Sequence, residues 1–397
     1  MRMSRYGGHT LSYHAPKILR NLVWSIGLIA PAVLTNAWAG YRDGPSKPVQ
    51  RVDASISYIP SEKFANGIFG SLVYSADSKI LAAAAGDGTV RLYDAVTAQE
   101  RSVLKMKGSA TGLRASANIW TRSPEDQMLL MNNYASSELQ LVDFRTGQPR
   151  VDLERSYKEA NWVRCVACSP DGRLIAGGYG NSGEVVVWDA ATGKRRFKTP
   201  AHIVPPQTDP FPRAMQPIPA PIYSLAFTPD ASLLLSSSIG APLRCWDVAT
   251  GAEVDPPVRI AVPGLLPVSP GGKLLMLSDR VGVGNDFSRR YMLYDMTTWE
   301  KRSQWVGAGG PVQLALLDNG RSMLWMEDRR FVQLRDAHDG RVLSKLDVEI
   351  RGGVDCMAVS PDGKRIAVGG CGVHPMFGEI RLIEVEGTTL RLWSPKP

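Results

Sequence analysis

Trp162-Val163-Arg164-Cys165-Val166-Ala167-Cys168, then Ser169-Pro170-Asp171-Gly172, then Leu174-Ile175-Ala176-Gly177-Gly178, and after a short connection Glu184-Val185-Val186-Val187-Trp188-Asp189, Ala190-Ala191-Thr192-Gly193 and an outer segment through Phe197: this stretch decides the fold. It reads as four strands and three turns. Short apolar runs are separated by Asp-Gly and Thr-Gly pairs, which tolerate the positive φ of tight turns. Val, Leu, Ile and Ala fill the first three strands, as in strands packed on both faces, while the fourth carries Arg195, Arg196 and Lys198 in the manner of an edge.

Outward from this unit, the same pattern recurs seven times. The first turns are Ser75-Ala76-Asp77-Ser78, Ser123-Pro124-Glu125-Asp126, Ser169-Pro170-Asp171-Gly172, Thr228-Pro229-Asp230-Ala231, Ser269-Pro270-Gly271-Gly272, Leu317-Asp318-Asn319-Gly320 and Ser360-Pro361-Asp362-Gly363. About twenty residues later each unit reaches an acid, in turn Asp94, Asp143, Asp189, Asp247, Asp295, Asp336 and Glu384. Successive turns start 48, 46, 59, 41, 48 and 43 residues apart, the spacing of four-stranded blades. A length of 397 residues would suit two or three ordinary domains, but seven like units argue for one closed repeat domain. The expected fold is therefore all-β: a seven-bladed β-propeller of four-stranded antiparallel blades over residues 63–397. One blade cannot bury two faces alone, so stability is expected from stacking and ring closure.

Gly86-Asp87-Gly88-Thr89-Val90-Arg91-Leu92-Tyr93-Asp94, Val185-Val186-Val187-Trp188-Asp189 and Leu243-Arg244-Cys245-Trp246-Asp247 resemble the third-strand signature of the WD40 family. The resemblance spans nearly the whole chain after residue 40. It implies a propeller that serves as a scaffold for partner binding, with the aspartates stabilising turns rather than acting as catalytic acids. The Gly-His pair that opens many family repeats is missing. His202 in Pro200-Ala201-His202 is its nearest echo, so the family's buried His-to-Asp network is expected to be absent from most blades.

The ends differ from the middle. Residues 1–39 carry Arg2, Arg5, Lys17 and Arg20 without an acid, then an apolar run over 22–34 and the small residues Ala37 and Ala39. This reads as a cleavable secretory signal, since the run is short of the ~20 residues of a spanning helix. The expected location is periplasmic or secreted, with no stable membrane insertion after cleavage. Four of the 46 basic residues and none of the 38 acidic ones lie in that segment, so the remainder has a charge of about +4. So small an excess gives no basic face for nucleic acid. Lys194-Arg195-Arg196 with Lys198, and Arg329-Arg330, read as solvated edge-strand charges. Residues 40–62 include the alternating Val52-Asp53-Ala54-Ser55-Ile56-Ser57-Tyr58-Ile59, which competes with Thr389-Leu390-Arg391-Leu392-Trp393 to close the ring. The C-terminal segment is expected to supply the last blade's fourth strand and the N-terminal one to add outside it or nearby.

Chemistry is sparse. Cys165 and Cys168 form a C-x-x-C, but in an extended strand residues three apart face opposite sides, which argues against a redox or metal pair. Cys356 and Cys371 fall on neighbouring strands of the last blade, near a diagonal pair. Cys371 and His374 could supply two ligands, with no second pair evident. No nucleophile elbow, Walker sequence or paired-histidine helix occurs. Neither catalytic residues, a metal nor a cofactor is expected.

On a repeat scaffold, insertions carry function. From the first turn to the acid the blades count 19, 20, 20, 19, 26, 19 and 24 residues, so the fifth and seventh are longer, over residues 280–290 and 371–378. The longest spacing comes from residues 199–221, which hold eight prolines. Strand direction alternates, so all three insertions emerge at one end of the ring. They bring Phe211, Arg213, Asp286, Phe287, Arg289, Arg290, His374, Met376 and Phe377 to that rim, a set of aromatic and basic anchors. The expectation is a non-enzymatic, monomeric scaffold of the bacterial cell envelope that binds a protein partner. The alternative is a periplasmic enzyme or enzyme subunit holding a cofactor or carbohydrate over the central channel.

Overall fold

The computed structural model describes residues 69–85, 89–105, 115–121, 127–133, 138–156, 161, 163–204, 218–238, 241–260, 266–269, 272–281, 288–308, 311, 313–317, 320–326, 329–350, 352–371 and 378–392. Among them the protein is all-β, with seven blades in a ring: a seven-bladed β-propeller. The quoted third unit forms Val163–Cys168, Leu174–Tyr179, Val185–Asp189 and Arg195–Lys198, each pairing antiparallel with the next. Six blades show four strands in chain order. The fifth shows Leu274–Val281, Ser288–Asp295 and Lys301–Ala308, with its innermost position reduced to a bridge between Val268 and Leu275. First strands of neighbouring blades touch, including Phe69–Tyr74 of the first against Val354–Val359 of the seventh, so they line the axis.

The core is divided among the gaps between blades. Buried side chains form seven clusters, and each cluster draws from two adjacent blades. Leu129, Val142 and Phe144 meet Ile80, Ala82 and Leu92 between blades one and two. Trp188 and Tyr179 meet Leu130 and Leu141 between two and three, and Trp246 meets Val185 and Val187 between three and four. Tyr291 meets Trp325 between five and six. The ring closes in the same way: Leu72, Tyr74 and Tyr93 of the first blade pack on Cys356, Ile380 and Leu382 of the seventh. Alternation explains this, because successive residues of a strand face opposite neighbours. In Val185–Asp189, Val185 and Val187 join one cluster, and Val186 and Trp188 the next. No chain segment is exchanged between described blades. The seventh takes its fourth strand, Thr389–Leu392, from the C-terminal segment, as expected. The competing residues 52–59 lie outside the described residues, as does the whole of the proposed signal.

The Ser-Pro-Asp-Gly turn works through three groups. Ser169 Oγ accepts from the Leu174 N–H at 2.9 Å and donates to Asp171 Oδ1 at 2.5 Å, which also accepts from the Arg173 N–H at 3.0 Å. Thr228 with Asp230, and Ser360 with Asp362, repeat these bonds. The fourth position is left-handed in each: Gly172, Gly272 and Gly363 suit it, while Ser78 and Ala231 adopt φ of 58° there against their preference. The second turn is equally regular. Asp189 Oδ1 accepts from the backbone of Ala191 and Thr192 and from Thr192 Oγ1, and Gly193 at φ 70° stands where an added Cβ would lie 2.4 Å from Asp152 O of the second blade.

Two expectations change and one open pairing is decided. Glu384 does not end a strand: it pairs with Arg391 inside Gly378–Glu386, and the chain turns later, at Gly387. Arg329 and Arg330 are not outer-strand charges. They sit between the second and third strands of blade six, in ion pairs with Asp355 and Asp347. Cys356 is a free, buried thiol whose Sγ donates to Gly369 O at 3.5 Å, so it forms no disulfide with Cys371. The register places Cys356 opposite Gly369, two residues short of Cys371.

Candidate interaction face

Because neighbouring strands are antiparallel, both hairpin turns of a blade leave at one end of the ring. The link between strands two and three, and the passage to the next blade, leave at the other. These are the turn end and the connection end. All three insertions belong to the connection end.

The insertion between blades three and four has a fixed base. Thr199 is buried, with its N–H on Val185 O at 2.9 Å and its Oγ1 accepting from the Val185 N–H at 3.0 Å. His202 is fully buried, its N–H on Gly183 O at 2.7 Å and its two ring nitrogens against Ser236 Oγ at 2.7 Å and Ser238 Oγ at 3.3 Å. Trp246 Nε1 donates to the same Ser236 Oγ at 2.8 Å. The echo of the family histidine is therefore a buried His-Ser-Trp relay in one blade. Desolvation, and secondarily the Arg244 guanidinium, push the His202 pKa down to about 4, against a smaller opposing pull from Glu253. The imidazole is neutral in the folded protein at neutral pH. Arg244 donates to Pro200 O and Ala201 O at 3.2 and 2.7 Å and to Glu253 at 2.6 Å, clamping the start of the insertion. Above this base Ile203–Val204 pairs with Ile218–Pro219 as a two-stranded ribbon, leaving Ile203 41% and Ile218 50% exposed.

In the fifth blade the surplus is mostly strand. Leu274–Val281 and Ser288–Asp295 stay paired to their ends, so the hairpin rises beyond its neighbours. Arg290 is bonded to Asp279 at 2.9 Å on the side facing blade four, and Arg289 reaches Ser278 Oγ at 3.4 Å on the side facing blade six. In the seventh blade the surplus falls between Arg365–Cys371 and Gly378–Glu386. Beneath it Glu379 and Arg381 form a buried ion pair. Of the nine rim residues expected from the sequence, Arg289 and Arg290 are placed, adjacent on one strand and facing opposite ways. Phe211, Arg213, Asp286, Phe287, His374, Met376 and Phe377 lie outside the described residues.

Sequence reasoning missed the apolar groups that the structure does place at this end: Ile203, Ile218, Val281 and Val306. The short apolar pairs flanking the proline stretch were a signal for the ribbon.

At the channel mouth two described polar groups are met by neighbouring blades. Arg164 lies over the Tyr223 ring at 3.9 Å to its centre, and Gln313 Nε2 donates to Asp355 O at 3.2 Å beside the Arg329–Asp355 pair. Cys165 packs toward blade four and Cys168 toward blade two, as strand alternation requires. Burial pushes the Cys165 thiol up to about 12 and that of Cys168 well above its ordinary value, so neither is a thiolate. Among the described residues no group of three or more His, Cys, Asp or Glu is placed to hold a metal ion, and no helix is long and apolar enough to cross a membrane.

Two segments, residues 65–94 and 152–189, match the family described as "WD domain, G-beta repeat". They cover the first three strands of blades one and three. A stretch of 116 residues, 27% of this chain, is 30% identical to "Protein tipD" of Dictyostelium discoideum, covering 17% of that protein. Another of 96 residues, 24% of this chain, is 25% identical to "Periodic tryptophan protein 2 homolog" of Neurospora crassa, covering 9% of it. The matches thus span less than a fifth of either relative. Together with the ring of seven blades, the matched repeats support a WD40 β-propeller.

Proposed function

We propose that this propeller is a non-enzymatic scaffold that binds a protein partner through its connection end, as a monomer exported to the bacterial periplasm or beyond. The observation that carries this reading is the unequal treatment of the two ends. Among the described residues blades one, three, four and seven repeat the same self-bonded first turn at one end, and the three insertions leave at the other. The surplus is anchored and presents apolar groups outward, as in Ile203 and Ile218 on their ribbon. WD40 propellers are typically protein-interaction scaffolds, which agrees with this use of the fold. Carriage of the basic, apolar N-terminal segment supports export. Among the described residues of the channel mouth, Asp355 is paired with Arg329 of the neighbouring blade, which favours binding over chemistry.

The test is a crosslinking capture from intact cell envelopes, comparing the full chain with a variant in which residues 205–217 are replaced by a short Gly-Ser link. That replacement leaves Thr199, His202 and the ribbon in place, and the melting temperature is expected to change by less than about 2 °C, within what a surface-loop change allows. A partner captured by the first and lost by the second supports the reading. Equal captures, or none, shift weight to the channel.

A further inference from the structure

The inner strands of four blades share one irregularity at the connection end. Near the start of each, one residue has no opposite number on the second strand: Gly70 between Phe69 and Ser71, Arg164 between Val163 and Cys165, Tyr223 between Ile222 and Ser224, and Asp355 between Val354 and Cys356. These are β-bulges, which leave the extra residue unpaired and re-aim its side chain. Packing records the switch. Val163 faces blade two while Cys165 faces blade four, and Val354 faces blade six while Cys356 faces blade one, although residues two apart in a regular strand share a face. An inner strand has its partner on one edge and the channel on the other, so a residue bulged away from the partner is directed to the channel mouth. Blades two and six pair in unbroken register over their described inner strands.

Three of the four bulges carry polar side chains, and they are treated unequally. Asp355 is neutralised inside the protein. Arg329, held at φ 61° between the second and third strands of blade six, donates to its carboxylate and, through Nε, to Val354 O at 3.1 Å. Arg164 lies instead over the Tyr223 ring at 3.9 Å from its centre, and among the described residues neither the guanidinium nor the phenol has a hydrogen bond or an ion pair. Both side chains are half-buried. Their strands are fixed against each other: Cys165 Sγ donates to Ile222 O at 3.7 Å, and a Cβ added at Gly178 would lie 2.7 Å from the same sulfur. The ring thus supports one face of the guanidinium and leaves its fork of N–H groups open.

The open fork selects the ligand. A planar guanidinium matches a carboxylate through two parallel hydrogen bonds. Recognition of phosphate draws on clusters of arginine, and here Arg329 is already engaged by Asp355. We infer that Arg164, stacked on Tyr223, is a carboxylate-binding site at the channel mouth, filled by an acidic side chain or the terminal carboxylate of the protein partner. The three insertions leave at this same end, so a partner held by them stands over the mouth. The inference rests on the scaffold reading and gives it one anchor and one chemistry.

The test follows the arginine side-chain N–H signals of the full-length chain by NMR during titration with three probes. N-acetylglutamate N-methylamide offers a side-chain carboxylate, N-acetylglycylglycine a terminal one, and N-acetylglutamine N-methylamide is the neutral control. The Arg164 signal is the one missing from Arg164→Lys. A saturable shift of that signal with a carboxylate probe and none with the amide is expected, and the tighter of the two carboxylates names the source. Tyr223→Leu should weaken binding about threefold through loss of the ring, with unchanged melting temperature. Should that variant misfold, Tyr223→Gln removes the ring and keeps a polar chain. No saturable shift at Arg164, a response equal to that of the exposed Arg259, an equal response to the amide, or a folded Tyr223 variant that binds as the parent does overturns the inference. Envelope capture by Arg164→Gln that equals the parent's, with no carboxylate binding in the parent, sinks the site and leaves the scaffold reading standing.

Discussion

The two ends of the ring solve the same problem by opposite means. At the turn end, half-buried aspartates satisfy the backbone of their own turns, as Asp189 does for Ala191 and Thr192, so each such turn is built from local bonds. At the connection end, the largest insertion is held by a buried neutral histidine that links it to Ser236 and Trp246 of the next blade. One device is local, charged and repeated. The other is long-range, uncharged and used in one place among the described blades, which is why one end stays uniform while the other diverges.

Acid separates the two devices most strongly. His202 is held at a pKa of about 4 when folded and returns to about 6.5 when unfolded. Between those values the unfolded chain binds the extra proton, so this contribution is full above pH 6.5 and is lost as pH falls toward 4. The loss should be on the order of 3 kcal/mol. The turn aspartates act in a lower window. Burial works to raise the pKa of Asp94, but bonds from Arg101 and from the N–H groups of Thr97 and Val96 outweigh it and bring it to about 2, so its contribution is lost only as pH falls from about 4 to 2. Urea midpoints measured from pH 7.5 to 3 should show two limbs, and His202→Gln should remove the upper one. If the upper limb survives that change, the histidine is not the acid-sensitive anchor.

The turn end breaks more gently. Asp189→Ala removes the acceptor of three bonds and should cost about 1 kcal/mol, as loss of a cap does, with little change in the slope of the denaturation curve. A loss near 3 kcal/mol would mean that these turns also act between blades. The smallest effect is a gain. Ala231 holds φ 58° where Gly172 and Gly363 serve in sister turns, so Ala231→Gly should raise stability by roughly 0.5 kcal/mol, the left-handed strain relieved less the entropy of glycine. A fall in the melting temperature would contradict that account of the turn.

Much of this was legible before any coordinates. The turn motifs and their spacing name seven blades, because a serine, an aspartate and a left-handed residue at fixed offsets are sufficient to build the turn from local bonds. Strand alternation also separates Cys165 from Cys168. Less of the interaction face was legible. Phe211, Phe287 and Phe377 were chosen as large exposed-looking side chains and lie outside the described residues, while Ile203, Ile218 and Val306 were passed over because nothing in their local sequence says which way they face. Glu384 was misassigned because spacing alone cannot tell a turn acid from a residue inside a longer strand.

The sequence by itself determined the repeat, the blade count, the turn chemistry and which strands are apolar, since all of these follow from contacts within a few tens of residues. Only the tertiary structure decided that the ring closes by face packing between blades one and seven, that His202 is a buried relay, and that Cys356 stays a free thiol. Each of those depends on which residues from distant units meet, and burial, pairing and exposure are properties of that meeting rather than of any one segment.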